Sequence, residues 1–317
     1  MSKPVVQRLL LLIPVLFGIS LVTFLLMHVS AEDAVDVMYR QSGAVSESVK
    51  AATRTRLGLD RPLLVQYALW LRALFLGTSL SIGTGLPVSG MILAKLPATL
   101  ALTFSSLTLT VVVSLPLGIY CALHKDKVPD YIIRIGFFAG NALPGFFVSF
   151  LLLYYVAVRL HWLPVMGDGS WRSFILPACS LALPMTAKYT RYIRGGFLRE
   201  LGKPYVSASL LRGIPYSIIL RRFVLKSASL TLITVLALSV GSLLGGTAII
   251  ESIFRIDGIG NMAVRAILMK DYPVIQAYVL WTAVIYTFVN LAADLLYHHF
   301  DPRIVATDTS EGGGIHD

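Results

Sequence analysis

Covalent chemistry needs a nucleophile, an acid–base pair or a metal held at fixed spacing, and this sequence offers few such groupings. Its six histidines are His28, His124, His161, His298, His299 and His316. No pair has helical ligand spacing, and the adjacent His298 and His299 would point about 100° apart on a helix. Cys121 and Cys179 sit in apolar stretches, where packing accounts for them better than a disulfide framework. H-E-x-x-H, G-x-S-x-G and G-x-G-x-x-G after a strand are all missing. The nearest approach to a phosphate loop is Gly196…Gly202-Lys203. Its glycine spacing is one residue too long, and Pro204 stands where a Ser or Thr would hold magnesium. The expectation is a chain with no catalytic residue, no metal site and no cofactor of its own.

Position then matters more than reactivity. The 317 residues are 56% hydrophobic and 14% charged, with a mean hydropathy of +0.74, whereas soluble domains carry about 25% charged residues. The net charge of +10 comes from bases segregated between apolar runs, and no nucleic-acid motif accompanies it. No nucleic-acid partner is expected. A helix leaves no backbone polar group unpaired in lipid and needs about 20 apolar residues to cross it. Six stretches meet this: 9–29, 99–122, 135–158, 174–193, 228–250 and 275–297. The fourth is interrupted by Pro177 and Pro184. The first could be a cleaved signal, with Val29-Ser30-Ala31 as its site, but its apolar run exceeds the 7–15 residues of a signal core and is read as a retained span.

Lys125, Lys127 and Arg134 near the second and third spans, and a strongly basic segment after the fourth, set the orientation, because positive short loops stay in the cytoplasm. Both termini are then cytoplasmic and 30–98 lies outside, with a helix over Pro62–Leu76 placed on the membrane surface. The fold class expected is an all-α polytopic membrane protein. Its divisions are 1–98 (first helix and periplasmic segment), 99–306 (transmembrane core) and a disordered tail, 307–317.

Polar groups inside spans are informative because hydrocarbon penalises them. Asn290 and Asp294 share one helix face, and Asp294 is read as pairing with Lys188 or Arg191. Asn141 precedes Leu143-Pro144-Gly145, read as a packing kink, the alternative being a break that frees carbonyls toward a cavity. Gly136-x-x-x-Gly140 and Gly241-x-x-x-Gly245 allow close helix approach.

The basic segment Lys188–Lys226 holds nine Lys/Arg and one acid, Glu200. Within it, Val206, Leu210 and Ile214 recur every four residues and Leu211 is placed on the same side. Gly213 suits a left-handed helix end, and Pro215 the first turn of another helix. A first helix this short needs something to hold its apolar face, either the chain's own helices or a partner.

Tyr205-Val206-Ser207-Ala208-Ser209-Leu210-Leu211-Arg212-Gly213, with the basic helix after it, resembles the coupling loop of permease subunits of ATP-binding-cassette importers. Nearly the whole chain follows the peptide/nickel branch: Leu57-Gly58-Leu59-Asp60-Arg61-Pro62 with Gln66-Tyr67, Leu96-Pro97-Ala98-Thr99-Leu100, Trp162-Leu163-Pro164, Gly246-Thr247 to Glu251-Ser252-Ile253-Phe254, Asp271-Tyr272-Pro273 and Asp301-Pro302-Arg303. The pattern departs at Ser207–Leu211, which lacks the usual alanine-rich basic run, and at Asp257, where a proline often stands before Gly258-Ile259-Gly260.

The resemblance implies a type I importer permease in a bacterial cytoplasmic membrane. It implies a second homologous permease subunit as heterodimer partner, two ATP-binding subunits that hold ATP and magnesium, a periplasmic or lipid-anchored substrate-binding protein, and membrane lipid around it. Tyr205, Ala208, Leu211, Arg212, Gly213 and Pro215 would couple to the ATPase within a loop of about 199–226. Asn141, Pro144, Gly241, Gly245 and Glu251 would belong to the translocation path. The short stretch Met166–Phe174 favours nickel or a metal chelate over small peptides as cargo. An ion-coupled carrier is the rival from another class, with only Asp294 as an embedded carboxylate.

Overall fold

The computed structural model describes residues 3–29, 34–39, 45–167 and 170–300, and apart from one antiparallel bridge, Leu80–Pro87, their regular structure is helical. The helices are α1 (Lys3–Val29), α2 (Ala34–Tyr39), α3 (Glu47–Leu57), α4 (Leu63–Phe75), α5 (Val88–Leu123), α6 (Val128–Ala142), α7 (Gly145–Leu152), α8 (Ile175–Leu201), α9 (Pro204–Leu211), α10 (Tyr216–Ile218), α11 (Leu225–Phe254), α12 (Ile259–Met269) and α13 (Tyr272–Phe300). Wider π-helical turns extend α7 over Leu153–Arg159 and join α10 to α11 through Ile219–Val224. The tail 307–317, Asp301-Pro302-Arg303 and His316 lie outside the described residues, as do the side chains of His28, Asp294, His298 and His299.

Two of the expected spans fall in helices long and apolar enough to cross a membrane, in α5 and in Tyr272–Ala293 of α13. Stretch 135–158 differs from expectation. It is broken, with α6 and the α7 segment bent by 100°, so the packing kink read from sequence is a true break. Leu143 is extended (ψ 129) because the following proline disfavours a helical residue before it, and Pro144, which has no N–H, starts a new helix as its N-cap. A second bend, of 80°, separates the end of α11 from α12. Stretch 174–193 lies almost wholly in α8, whose second half carries Lys188, Arg191, Arg194 and Arg199.

The described chain forms two compact units, one running to Ala101 and taking in Thr247–Thr287, the other made of Leu102–Gly246 with the residues from Phe288 on. Residues 247–287 return to the first unit because a chain of long helices brings distant segments back to one neighbourhood.

In the first unit, Val88, Ile92, Ile259, Met262, Val274 and Ile275 form a buried cluster. Burial of each such side chain is worth about 1.5–3 kcal/mol relative to exposure. The segment expected on a membrane surface, α4, packs on α1: Tyr67 Oη lies 2.7 Å from Ser20 Oγ, and its ring meets Phe24 edge-on at 5.2 Å. Gly58 (φ +70) ends α3, and Gln66 Nε2 donates to the carbonyls of Leu59 (3.1 Å) and Arg61 (2.7 Å), pinning the turn between α3 and α4. Asp271 holds the loop before α5, accepting from Ser81 Oγ at 2.5 Å and from the N–H groups of Ile82 and Gly83 at 3.1 Å.

In the second unit the core joins Ala122, Tyr189, Ile193, Phe197, Val206, Ile219 and Val224. A Cβ added to Gly118 would sit 2.6 Å from Ile193, so α5 and α8 touch where only glycine fits. The Gly136-x-x-x-Gly140 pattern is half used: Gly140 faces Ala187 of α8 at 3.7 Å, and Gly136 faces open space. Asp130, fully buried in the first turn of α6, takes Arg194 of α8 in a bidentate pair, 2.8 Å from Nε and 2.7 Å from Nη2, and accepts the Asp126 N–H at 3.1 Å.

Candidate functional site

The basic hairpin is built from backbone chemistry. Gly202 and Lys203 end α8, since Lys203 is extended ahead of Pro204, and Pro204 opens α9 at a position where its missing N–H costs nothing. At the other end of α9, Gly213 has φ +77, the Ile214 N–H donates to Ser209 O at 3.1 Å and the Gly213 N–H to Leu210 O at 2.9 Å. This paired closure needs a left-handed residue where Gly213 stands, as the sequence predicts. Pro215 then caps α10, with the Ile218 N–H donating to its carbonyl at 2.9 Å. Gly196, half of the rejected phosphate loop, is a buried position inside α8.

The two sides of α9 differ sharply. Val206 is 4% exposed in the core shared with α8 and the helix leading into α11, and Ile214 packs against the same core. Tyr205 is half-buried, its hydroxyl donating to Glu200 at 3.2 Å and its ring 6.4 Å from Phe223. Burial, and then the Glu200 carboxylate, push its phenol above the usual range, so it remains a donor. On the other side, Ala208, Leu211 and Arg212 are exposed, Leu211 at 90%. Leu211 therefore does not share the Val206 side on which the sequence reading places it. At 100° per residue it stands well round the helix from Val206, and Leu210, at 46%, is also largely outside. The chain's own helices hold one face of the hairpin and leave the other free.

A second constellation, in the first unit, gathers three of the sequence motifs. Glu251 is fully buried; Thr99 Oγ1 donates to its Oε1 at 2.7 Å and the Asn261 N–H to its Oε2 at 2.8 Å, while the Ile259 N–H donates to Thr99 Oγ1 at 2.9 Å. The carboxylate thus caps the N-terminus of α12, where unpaired N–H groups and the helix dipole favour an anion. Gly258 and Gly260 are small for a concrete reason: a Cβ would fall 2.3 Å from the Glu251 carboxylate at the first and 2.5 Å from the Ala248 backbone at the second. Asp257, which replaces the common proline, pairs with Lys95. Gly260→Ala must displace backbone at this turn and is expected to destabilise by about 1–3 kcal/mol, read as a lower melting temperature of the purified chain.

Among the residues expected in a translocation path, Asn141 alone lines a described cavity, one of about 550 Å³ in the second unit. Pro144 caps α7, and Gly245 is exposed with nothing within 4 Å of an added Cβ, while it is Gly246 that faces Leu181 at 3.8 Å. Gly241, on α11, is partly exposed. Glu251 has both oxygens committed to the α12 turn, a capping role that sequence alone did not show. Among the described residues no group of three or more His, Cys, Asp or Glu is placed to hold a metal.

The family described as "Binding-protein-dependent transport system inner membrane component" matches residues 114–306, and its N-terminal companion, "Binding-prot-dependent transport system membrane comp, N-term", matches 1–103. The chain belongs to this family. This binding-protein-dependent permease is 37% identical over 305 residues to the nickel import system permease protein NikB of Staphylococcus aureus strains bovine RF122 / ET3-1 and USA300, across 95% of its own length and 91% of theirs. Two chains from inward-facing structures of the MetNI methionine ABC transporter share its fold, with TM-scores of 0.57 and 0.53 at 16% and 15% identity, covering 68% of this chain and 98% of each of those. The permease is accordingly a multi-pass component of the cytoplasmic membrane and a subunit of an ATP-driven importer, not itself an enzyme. ATP-binding and substrate-binding partners go with that role.

Proposed function

We propose that this permease carries nickel or a nickel chelate inward, crossing the membrane six times with both termini in the cytoplasm, beside a second, homologous permease chain. Energy enters through the Tyr205–Pro215 hairpin, which docks on an ATPase subunit; the ATPase, not this chain, holds ATP and magnesium. One observation carries the docking assignment: Leu211 stands 90% exposed on a helix whose opposite side, at Val206, is locked into the core. A leucine held in that way is a pre-ordered knob for a partner's cleft. The connection beyond it is stiff, because α8 is one helix of 27 residues and α10, the π turns and α11 run on without a break. The basic Lys125–Lys127 loop belongs to the same compact unit as the hairpin, which supports a common cytoplasmic side. The cargo follows the named NikB relatives, and the short Met166–Phe174 connection agrees with them.

Leu211→Asp places a charge on the knob without touching the core. Co-purification of the ATPase with the assembled complex should then fall by roughly tenfold or more, since a desolvated carboxylate costs several kcal/mol. Full ATPase recovery would overturn the docking role. Uptake of radioactive nickel against a labelled dipeptide, with the cognate binding protein supplied, decides the cargo, and dipeptide uptake alone would refute the nickel assignment.

A further inference from the structure

The cavity lined by Asn141 is unusual in its charge. It lies among α5, α6 and α8 in the second unit, and Arg134, Lys188, Arg191 and Arg194 all line it. Arg194 is neutralised by Asp130, but no carboxylate forms an ion pair with Arg134, Lys188 or Arg191 among the described residues. These three instead lie over tyrosine rings, Arg134 at 5.5 Å from Tyr131, and Lys188 and Arg191 at 6.0 and 5.7 Å from Tyr192. Thr190, 1% exposed, lines the same cavity, and its buried hydroxyl has no hydrogen-bond partner. A buried hydroxyl left unpaired costs free energy, and a site that keeps one is short of an acceptor. The remaining walls are apolar, Phe137 and Phe138 among them.

We propose that this cavity binds the phosphate headgroup of an anionic membrane lipid. Arg134, Lys188 and Arg191 supply charge, the Thr190 hydroxyl donates to a phosphate oxygen, and the phenylalanine wall takes the apolar part of the molecule. A soluble anion would use the cations and leave that wall wet. Basic pockets between membrane helices on the cytoplasmic side are suited to such headgroups. The leaflet rests on the orientation proposed above; the binding itself does not. Because Lys188 and Arg191 belong to the helix that runs on to the hairpin, the occupied site would brace the segment through which force passes.

The test is native mass spectrometry of the full-length chain in detergent, titrated with phosphatidylglycerol or phosphatidylcholine. The wild type should retain phosphatidylglycerol preferentially. Combining Arg134→Gln, Lys188→Gln and Arg191→Gln should weaken it by roughly a hundredfold. Combining Arg212→Gln, Arg221→Gln and Arg222→Gln, which removes the same charge from positions that are likewise exposed but do not line the cavity, should leave it nearly unchanged. Thr190→Val, a near-isosteric change, should weaken it severalfold and decides the matter if the triple variant fails to fold. Equal retention of the two lipids, equal losses in both triple variants, or displacement of the lipid by millimolar inorganic phosphate or nickel citrate would overturn the proposal; the last two would assign the cavity to a soluble anion or to cargo. No ATPase or uptake assay enters, so an error in the cargo or coupling assignment does not affect the outcome.

Discussion

Gly213→Val is expected to uncouple the importer: ATP hydrolysis by the partner subunits continues while substrate uptake falls, and the chain still inserts at normal levels. Gly213 holds φ +77 with open space around it, so the penalty is purely in the backbone. A left-handed residue other than glycine costs about 1–2 kcal/mol, more when β-branched. That is enough to shift the hairpin population about five- to thirtyfold away from the closed turn. The Ile214-to-Ser209 and Gly213-to-Leu210 bonds then open, Ile214 leaves the core, and α9 loses its fixed angle to α10. Uptake and hydrolysis measured together in proteoliposomes check this; unchanged uptake with normal hydrolysis would refute the lever. Gly213→Asn should lose much less, because asparagine tolerates the left-handed region.

Asp130→Ala should strongly destabilise the second unit. It leaves Arg194, whose side chain is 18% exposed, without its bidentate partner. Breaking a buried pair from one side costs about 3–5 kcal/mol. Asp130→Leu combined with Arg194→Leu should recover most of that loss, since a well-packed apolar pair replaces two desolvated charges at little net cost. Thermal unfolding in detergent reads both. A single variant that melts with the wild type would show that solvent already screens the pair.

The helices were legible where composition alone decides, as in α5 and α13, because lipid crossing is a property of apolar length. The hairpin was legible because its turn is written in backbone-restricting residues, Pro204, Gly213 and Pro215. Side-chain direction was not: the sequence reading places Leu211 on the side of Val206, Leu210 and Ile214, whereas five residues of helix turn it about 140° from Val206, and its exposure in the fold shows the consequence. The pairing of Asp130 with Arg194 joins residues 64 apart in sequence, and no local period announces it. The same holds for Glu251, which the sequence offered as a path residue and the fold uses to hold Gly258–Asn261. Its partners Thr99 and Asn261 lie in or near recognisable motifs, but their meeting depends on the turn. The break at Leu143-Pro144 was visible as a proline, its 100° angle was not.

The division of α9 into an anchored side and a bare side also bears on how such assemblies diversify. Ala208, Leu211 and Arg212 can drift, or be exchanged, without disturbing the interior that Val206 and Ile214 complete. Swapping those three side chains between related permeases should therefore redirect which motor each one recruits, leaving cargo choice where it was.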